Sequence, residues 1–563
     1  MKVPKFKSPI MKFTAGIAVG LFVALLVFPL ISSDNIYNQI EKYNYVLSLV
    51  IKEYFEDSDV SKLTEGAIRG MLQELDPHST YITPKDMKHV NEDMGGSFEG
   101  IGIQFMMLND TLLIDAVIAD GPSERVGMQA RDRIYAVNGS SIVGLSQDSI
   151  PKLLRGPKGT VVSLSVYRPA TKERLEFSVT RDKIPLYSID VYFVVEGTDI
   201  GYIRMNRFAQ TTHEELVNAG KLLRAEGMKR LILDLRGNGG GILEQAHAVC
   251  DEFLRGDTIV YTHGRHSDQD QIFTARPGGS MEDIPLIVLV DGSSASASEI
   301  TAGAIQDLDR GLVVGVTSFG KGLVQRQYPI YSDGSSVRIT IARFYSASGR
   351  CIQRPFKDKE NWKLMTDRLE VEEGANLEHV LDKIKKEDTK KSKDTTKKKD
   401  KNAKIINMDS IEIFYTRAGR PVLGGGGITP DYVIKYDTSK LQPLTISLYY
   451  SGIFLAFNDQ ILKEYKDKYS NDFSKFNKEF KMTDKMEKDL RKLAESKDIV
   501  WNDEEFKKDK DYIANRWVKY FLARSIWNTN KATQIMIPID RQLNKALELF
   551  PLAEKIQASG KKK

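Results

Sequence analysis

Apolar residues recur every three or four positions through IYNQIEKYNYVLSLVIKEYF (36–55) and again through LTEGAIRGMLQEL (63–75), the spacing that lines one face of a helix. Asp76-Pro77 ends the second helix. The period then shortens. SFEGIGIQFMMLNDTLLIDAVIADGPSERVGMQARDRIYAVNGSSI (97–142) predicts short strands separated by Gly, Asn-Gly and Asp-Gly turns. A short helix, QDSIPKLLRG, and two strands, TVVSLSVYRP and RLEFSVTRD, complete a compact β-rich module.

From Ile184 to about Phe356 strands and helices alternate. IGYIRM precedes the helix HEELVNAGKLLRAEG; LILDLR and GNGGG precede ILEQAHAVCDEFL; LIVLV precedes SASEITAGAIQDL; LVVGV follows. That order predicts an α/β core with parallel strands. KIKKEDTKKSKDTTKKKDKNAK (383–404) has no aromatic residue and almost nothing apolar, so it predicts a disordered surface insertion. The fold class is therefore multidomain α/β. Its expected domains are an N-terminal membrane anchor or signal segment (1–33), a helical segment (34–92), the β-rich module (93–180), the α/β core (181–382, returning at 405–440 after the insertion) and a C-terminal helical domain (441–563).

Charge changes this picture little: 81 Lys+Arg against 76 Asp+Glu gives no global attraction for nucleic acid, and none is expected as a partner. The N-terminus matters more. Four lysines in MKVPKFKSPIMKF precede AGIAVGLFVALLVFPLI (15–31), which is apolar throughout, so the segment predicts export with the inner membrane as a partner and a periplasmic location. The two cysteines show no paired spacing and there is no HExxH, so neither metal nor cofactor is expected.

Three small-residue loops follow core strands and carry the candidate chemistry. DGSSASASEI (291–300) packs four serines into six positions before a glutamate. A serine nucleophile needs a base, and none of the seven histidines stands at a strand end beside a glycine-rich loop; there is no G-x-S-x-G elbow either. The loop TSFGKGLVQ offers Lys321 between glycines, flanked by Phe319 and Leu323. A lysine works as a base only when neutral. At its reference pKa only about one in 2,500 is neutral at pH 7, a deficit of roughly 4.6 kcal/mol that an apolar site must supply. Gln325 can orient the amine without adding charge. LDLRGNGGG (233–241) lets backbone approach a ligand, and lacks the GK[ST] ending of a phosphate loop.

Together SASASEI, SFGKGLVQ and RGNGGG resemble the carboxyl-terminal processing, or tail-specific, proteases, and residues 97–180 resemble a PDZ domain of the bacterial protease type. The resemblance implies a crotonase- or ClpP-like α/β serine protease core, with Ser296 as nucleophile, Lys321 as general base and Gln325 orienting it. It implies Ala297 with Gly240 or Gly241 as oxyanion donors, and Gly100, Ile101, Gly102 and Ile103 as the loop and strand that capture an unstructured C-terminal tail. Where the family often has proline this chain has Gly239, which leaves the oxyanion glycine open. Glu299, one helical turn from Ser296, is either support for the site or a helix-start carboxylate. Arg155 is the expected link between PDZ module and core. The partners implied are substrate tails and the membrane, with a homodimer and an adaptor protein as further candidates. The alternatives are a catalytically silent PDZ scaffold that only binds tails, and an acyl-CoA enzyme on the same superfold.

Overall fold

The computed structural model describes residues 35–108, 110–118, 120–169, 171–356, 374, 412–435 and 441–561. The apolar stretch 15–31 and the lysine-rich insertion 383–404 lie outside them. The chain divides into two units after Tyr81.

In the first unit Asn35 and Asp59 cap the helices Ile36–Glu53 and Val60–Gln73, each accepting a backbone N–H from the first turn. The Asp76 carboxylate accepts the N–H groups of His78 and Ser79 and the Ser79 hydroxyl, which turns the chain at the Asp-Pro step. The first helix buries none of its residues.

The second unit begins with helix Pro84–Gly95, started by Thr83 and a proline at the first turn and stopped by Gly96 at φ 64°. The PDZ strands follow. Ser97–Gly100 pairs with Asp182–Pro185, and a separate sheet runs in the order Ile103–Leu108, Thr111–Val117, Arg133–Val137, Val161–Arg168, Glu173–Thr180. Period-two alternation splits the first hairpin: Leu112 and Ile114 enter the PDZ core, while Leu113 faces out, with Met106, onto Leu455 and Phe521 of the C-terminal helices.

The core sheet runs Ile189–Val194, Ile200–Met205, Arg230–Asp234, Leu286–Val290, Leu312–Gly315, Tyr432–Val433. Its first pair is antiparallel and the rest are parallel. All of Leu286–Val290 and Leu312–Gly315 are buried, as expected of parallel strands covered on both faces. One face packs on helices Thr212–Ala225, Leu243–Asp251 and Ala297–Asp307; the last is buried along its whole length. A second sheet of Thr258–Gly264, Gln271–Thr274, Leu323–Ile330 and Ser335–Ser346 adjoins.

The expected single C-terminal domain over 441–563 resolves into two parts. Helices from Pro443–Tyr450 through Thr529–Met536 form a bundle with its own aromatic core around Phe457, Phe476 and Phe506. Helices Arg541–Glu548 and Phe550–Gly560 instead cover the other face of the core sheet, with Leu543, Ala546, Phe550 and Ala553 against Ile232, Leu289 and Val314. The sheet's second apolar face requires that cover, since an open parallel sheet would leave it in water.

Candidate active site

Three adjacent parallel strands deliver the three loops at their C-terminal ends, where an open α/β sheet leaves its crevice. Ser296 stands between strand Leu286–Val290 and helix Ala297–Asp307 at φ 54°, ψ −112°, a positive-φ conformation that costs a non-glycine residue roughly 1–3 kcal/mol. Hydrogen bonds hold it. The Ser296 N–H donates to Glu299 Oε2 at 2.9 Å, and Ala295 N–H and Ser298 Oγ donate to the Asn238 carbonyl at 3.0 and 2.9 Å. Ser294 Oγ donates to Leu235 O and accepts from Asp291 N–H, so the neighbouring serines build the turn and Ser296 is left half-buried.

Glu299 joins this turn to the lysine loop. Its Oε1 accepts from Ser318 Oγ at 2.5 Å and Gly320 N–H at 2.6 Å; its Oε2 accepts from Lys321 N–H at 2.9 Å as well as from Ser296. The side chain is 1 % exposed. Burial pushes its carboxyl above the usual range, and the four donors oppose that rise. Ser318 Oγ accepts from Ile428 N–H in turn, which ties in the segment 428–431, ITPD, that precedes the last core strand. Gly322 N–H donates to Gln353 Oε1 at 2.8 Å, and the half-buried Lys321 Nζ donates to Gln325 Oε1 at 2.9 Å. A neutral amide acceptor there orients the amine without stabilising its charge as a carboxylate would.

The glycine loop lies against the nucleophile turn. A Cβ on Gly240, at φ 94°, would stand 2.7 Å from Ala295 O, 2.8 Å from Ser296 Cβ and 3.0 Å from Ala297 N, so only glycine fits. Of the two glycines expected as oxyanion donors, Gly240 gives its N–H to Asn238 Oδ1 at 2.9 Å, while Gly241, at φ 150°, packs its Cα against Phe208. The first-turn N–H of Ala297 has no intrahelical carbonyl to meet. Asn238, buried and donating to Met205 O, thus orders both loops at once.

Among the described histidines, His213 meets Glu252, His247 the Thr274 carbonyl and His263 Asp270, so none of these serves Ser296. Ser346 and Ser348 donate to Asp307, which also pairs with the buried Arg350; they brace the back of the helix. Asp234, Arg236, Asn238, Ser318 and Gln353 escaped the sequence reading. The only signal they left was proximity to glycine loops.

In the PDZ module Gly100 ends a strand, Ile101 is buried in the PDZ core and Gly102 turns at φ 76°. Ile103 opens a strand that forms the edge of its sheet. Arg155 lies over Phe98 and pairs with Glu92 at 2.7 Å on helix Pro84–Gly95. That helix meets the core: Met94 O accepts Gln210 N–H, and Met87 Sδ contacts Gln327 on the strand that carries Gln325. Arg155 therefore reaches the core through an intervening helix.

Known families match along the chain: peptidase family S41 over 199–358, a PDZ domain over 100–180, the activating protease CtpB N-terminal domain over 31–86 and a family of unknown function over 444–528. A carboxy-terminal-processing protease of Bartonella bacilliformis is 36 % identical over 347 residues, which are 61 % of this chain and 79 % of that protein. The carboxy-terminal processing protease CtpA of Bacillus subtilis is 36 % identical over 56 % of this chain and 67 % of its own. The solved photosystem II D1 C-terminal processing protease, 28 % identical, covers 54 % of this chain and 82 % of its own with a TM-score of 0.32.

Proposed function

The chain belongs to the carboxy-terminal processing proteases, S41 peptidases that carry a PDZ domain, and from that membership we propose that it is a serine endopeptidase working through a Ser296–Lys321 dyad on exported proteins with unstructured tails. The observation that carries this reading is the Glu299 carboxylate, whose single oxygen Oε2 receives the main-chain N–H of both Ser296 and Lys321. It supports a rigid pairing of the two loops.

Neutral Lys321 takes the proton of Ser296 Oγ as that oxygen attacks the scissile carbonyl. Ala297 N–H with the amide of Gly239 or Gly241 receives the oxyanion, since Gly240 N–H is held by Asn238 Oδ1, and the protonated lysine returns its proton to the leaving amine. Water, deprotonated by the same lysine, then hydrolyses the acyl-enzyme. The tail docks on the free edge of Ile103–Leu108, with its carboxylate at Gly100–Gly102. The apolar segment 15–31 anchors the enzyme in the inner membrane and sets it in the periplasm.

The test is cleavage of an unstructured polypeptide by the full chain, its Ser296→Ala and its Lys321→Ala variants, with the substrate C-terminus free or amidated. Both substitutions should abolish cleavage and amidation should weaken it. A wild-type chain that binds the free tail and cleaves nothing would replace this reading with the scaffold; an active Ser296→Ala variant would remove the dyad.

A further inference from the structure

Arg236 stands two residues before Asn238, at the exit of strand Arg230–Asp234, and its guanidinium is held from both sides. From within the sheet, Nε donates to Asp234 Oδ1 at 2.9 Å and Nη2 to Asp234 Oδ2 at 2.6 Å. From the C-terminal layer, Nη1 donates to Asp540 Oδ1 and to Gln542 Oε1, each at 3.0 Å, and Nη2 to Asp540 Oδ2 at 2.8 Å. All five N–H donors of the fork are used, and the Arg236–Asp540 pair is the bidentate form that fixes orientation as well as distance.

Both acceptors are fixed in turn. Asp540 caps helix Arg541–Glu548 by accepting Leu543 N–H at 3.0 Å, and Gln542, 3 % exposed, donates to Ile434 O at the end of the core sheet. Asp234 accepts the Tyr202 hydroxyl at 2.7 Å and the Arg236 main-chain N–H at 3.0 Å. The turn that follows Arg236 bends at Gly237, φ 72°, and delivers Asn238. Asn238 O receives Ala295 N–H and Ser298 Oγ, and its Oδ1 receives Gly240 N–H. A rotation of the Arg236 turn would therefore move the oxyanion glycines and the Ser296 turn together.

We infer that Asp540, seconded by Gln542, is a positioning residue of the protease site: the C-terminal helices, outside residues 199–358 that the S41 family matches, complete the anchor that aims the glycine loop. The inference rests on the proposed serine chemistry at Ser296. It gives the last helices a catalytic consequence in addition to covering the sheet. Truncating the chain before residue 540 would cost the site its alignment as well as its cover.

The experiment uses the full chain and a peptide substrate, with Ser296→Ala as control. Asp540→Ser keeps a good helix cap but is too short to reach Arg236; Asp540→Asn keeps cap, shape and one acceptor while removing the charge. Asp540→Ser should lower kcat about 10-fold with KM within about twofold, since misaligned donors weaken the transition state more than the bound substrate. Asp540→Asn should recover part of the loss. In an Arg236→Lys background, Asp540→Ser should add little, because the two residues act through one contact. Wild-type kcat in Asp540→Ser, or a full additive loss in the Arg236→Lys background, would overturn the inference. Should Asp540→Ser fail to fold, Asp540→Asn decides: kcat equal to wild type rejects the role, and a reduced kcat at unchanged KM and Tm supports it. Activity persisting in Ser296→Ala would instead strike the serine reading.

Discussion

Ser296 and Lys321, 25 positions apart, donate their main-chain N–H groups to the same oxygen, Glu299 Oε2, each at 2.9 Å. The two backbones therefore lie within twice that distance of each other. Glu299→Gln would turn one carboxylate oxygen into an NH2 group facing two donors. We expect roughly a 10²-fold loss of kcat with little change in KM. Steady-state kinetics within twofold of wild type would refute Glu299 as the joint of the site.

Gln325 accepts from Lys321 Nζ at 2.9 Å. A carboxylate in its place would favour the charged amine, so Gln325→Glu should move the acid limb of the kcat/KM pH profile upward by about one unit or more. An unmoved limb would mean that Lys321 is not the titrating base.

Gly240 has no room for a methyl group beside Ala295 O and Ser296 Cβ, and its φ is 94°. Gly240→Ala should reduce activity by about 10²-fold or more through a shift of the serine turn, with strain of about 1–3 kcal/mol lowering Tm. Full activity would show that the glycine loop yields without moving Ser296.

Burial works to raise the pKa of Asp234, but the charge and hydrogen bonds of Arg236 and the Tyr202 hydroxyl overcome it and hold the carboxyl below its ordinary 3.8. The unfolded chain then takes up the proton at higher pH than the folded one. The stability Asp234 contributes is complete above the ordinary carboxylate range and is lost as pH falls through the lower folded value. Urea midpoints of wild type and Asp234→Asn, followed from about pH 6 down to about pH 2, should converge toward acid. A gap independent of pH would rule this out.

The C-terminal bundle clasps the PDZ module through Arg131 to Asp459 at 3.1 Å and Ser525 at 2.8 Å, and through Arg524 to Asp115 at 2.6 Å and Gln104 at 3.0 Å. Arg131→Ala would leave the half-buried Asp459 with only Arg133 as a nearby cation, at a cost of about 1–3 kcal/mol after allowance for its partial exposure. Amide exchange should then quicken in Ile103–Leu108 and leave the core sheet protected. Equal protection in wild type and Arg131→Ala would show that the clasp does not hold the PDZ strand.

The loops that carry Ser296 and Lys321 were legible in the chain because each follows an apolar strand, and local glycine and serine content reports where backbone must turn tightly; Gln325, on strand Leu323–Ile330, was picked out as a neutral group near Lys321 and through the family resemblance. The strands and helices of core and PDZ module were legible for the same reason: period two and period 3.6 are written in neighbouring residues. What neighbours do not encode is which distant side chain answers a buried polar group. Glu299 reads equally as support for the site or as a helix-start carboxylate until tertiary packing brings Ser318, Gly320 and Lys321 to it. Arg236 and Asp540, 304 positions apart, meet only because the sheet needs a second apolar cover and the last helices supply it. Loop chemistry was a property of the sequence; the partners that aim it were decided by burial, which is costly for a carboxylate such as Glu299 or a guanidinium such as Arg236 unless distant groups answer it.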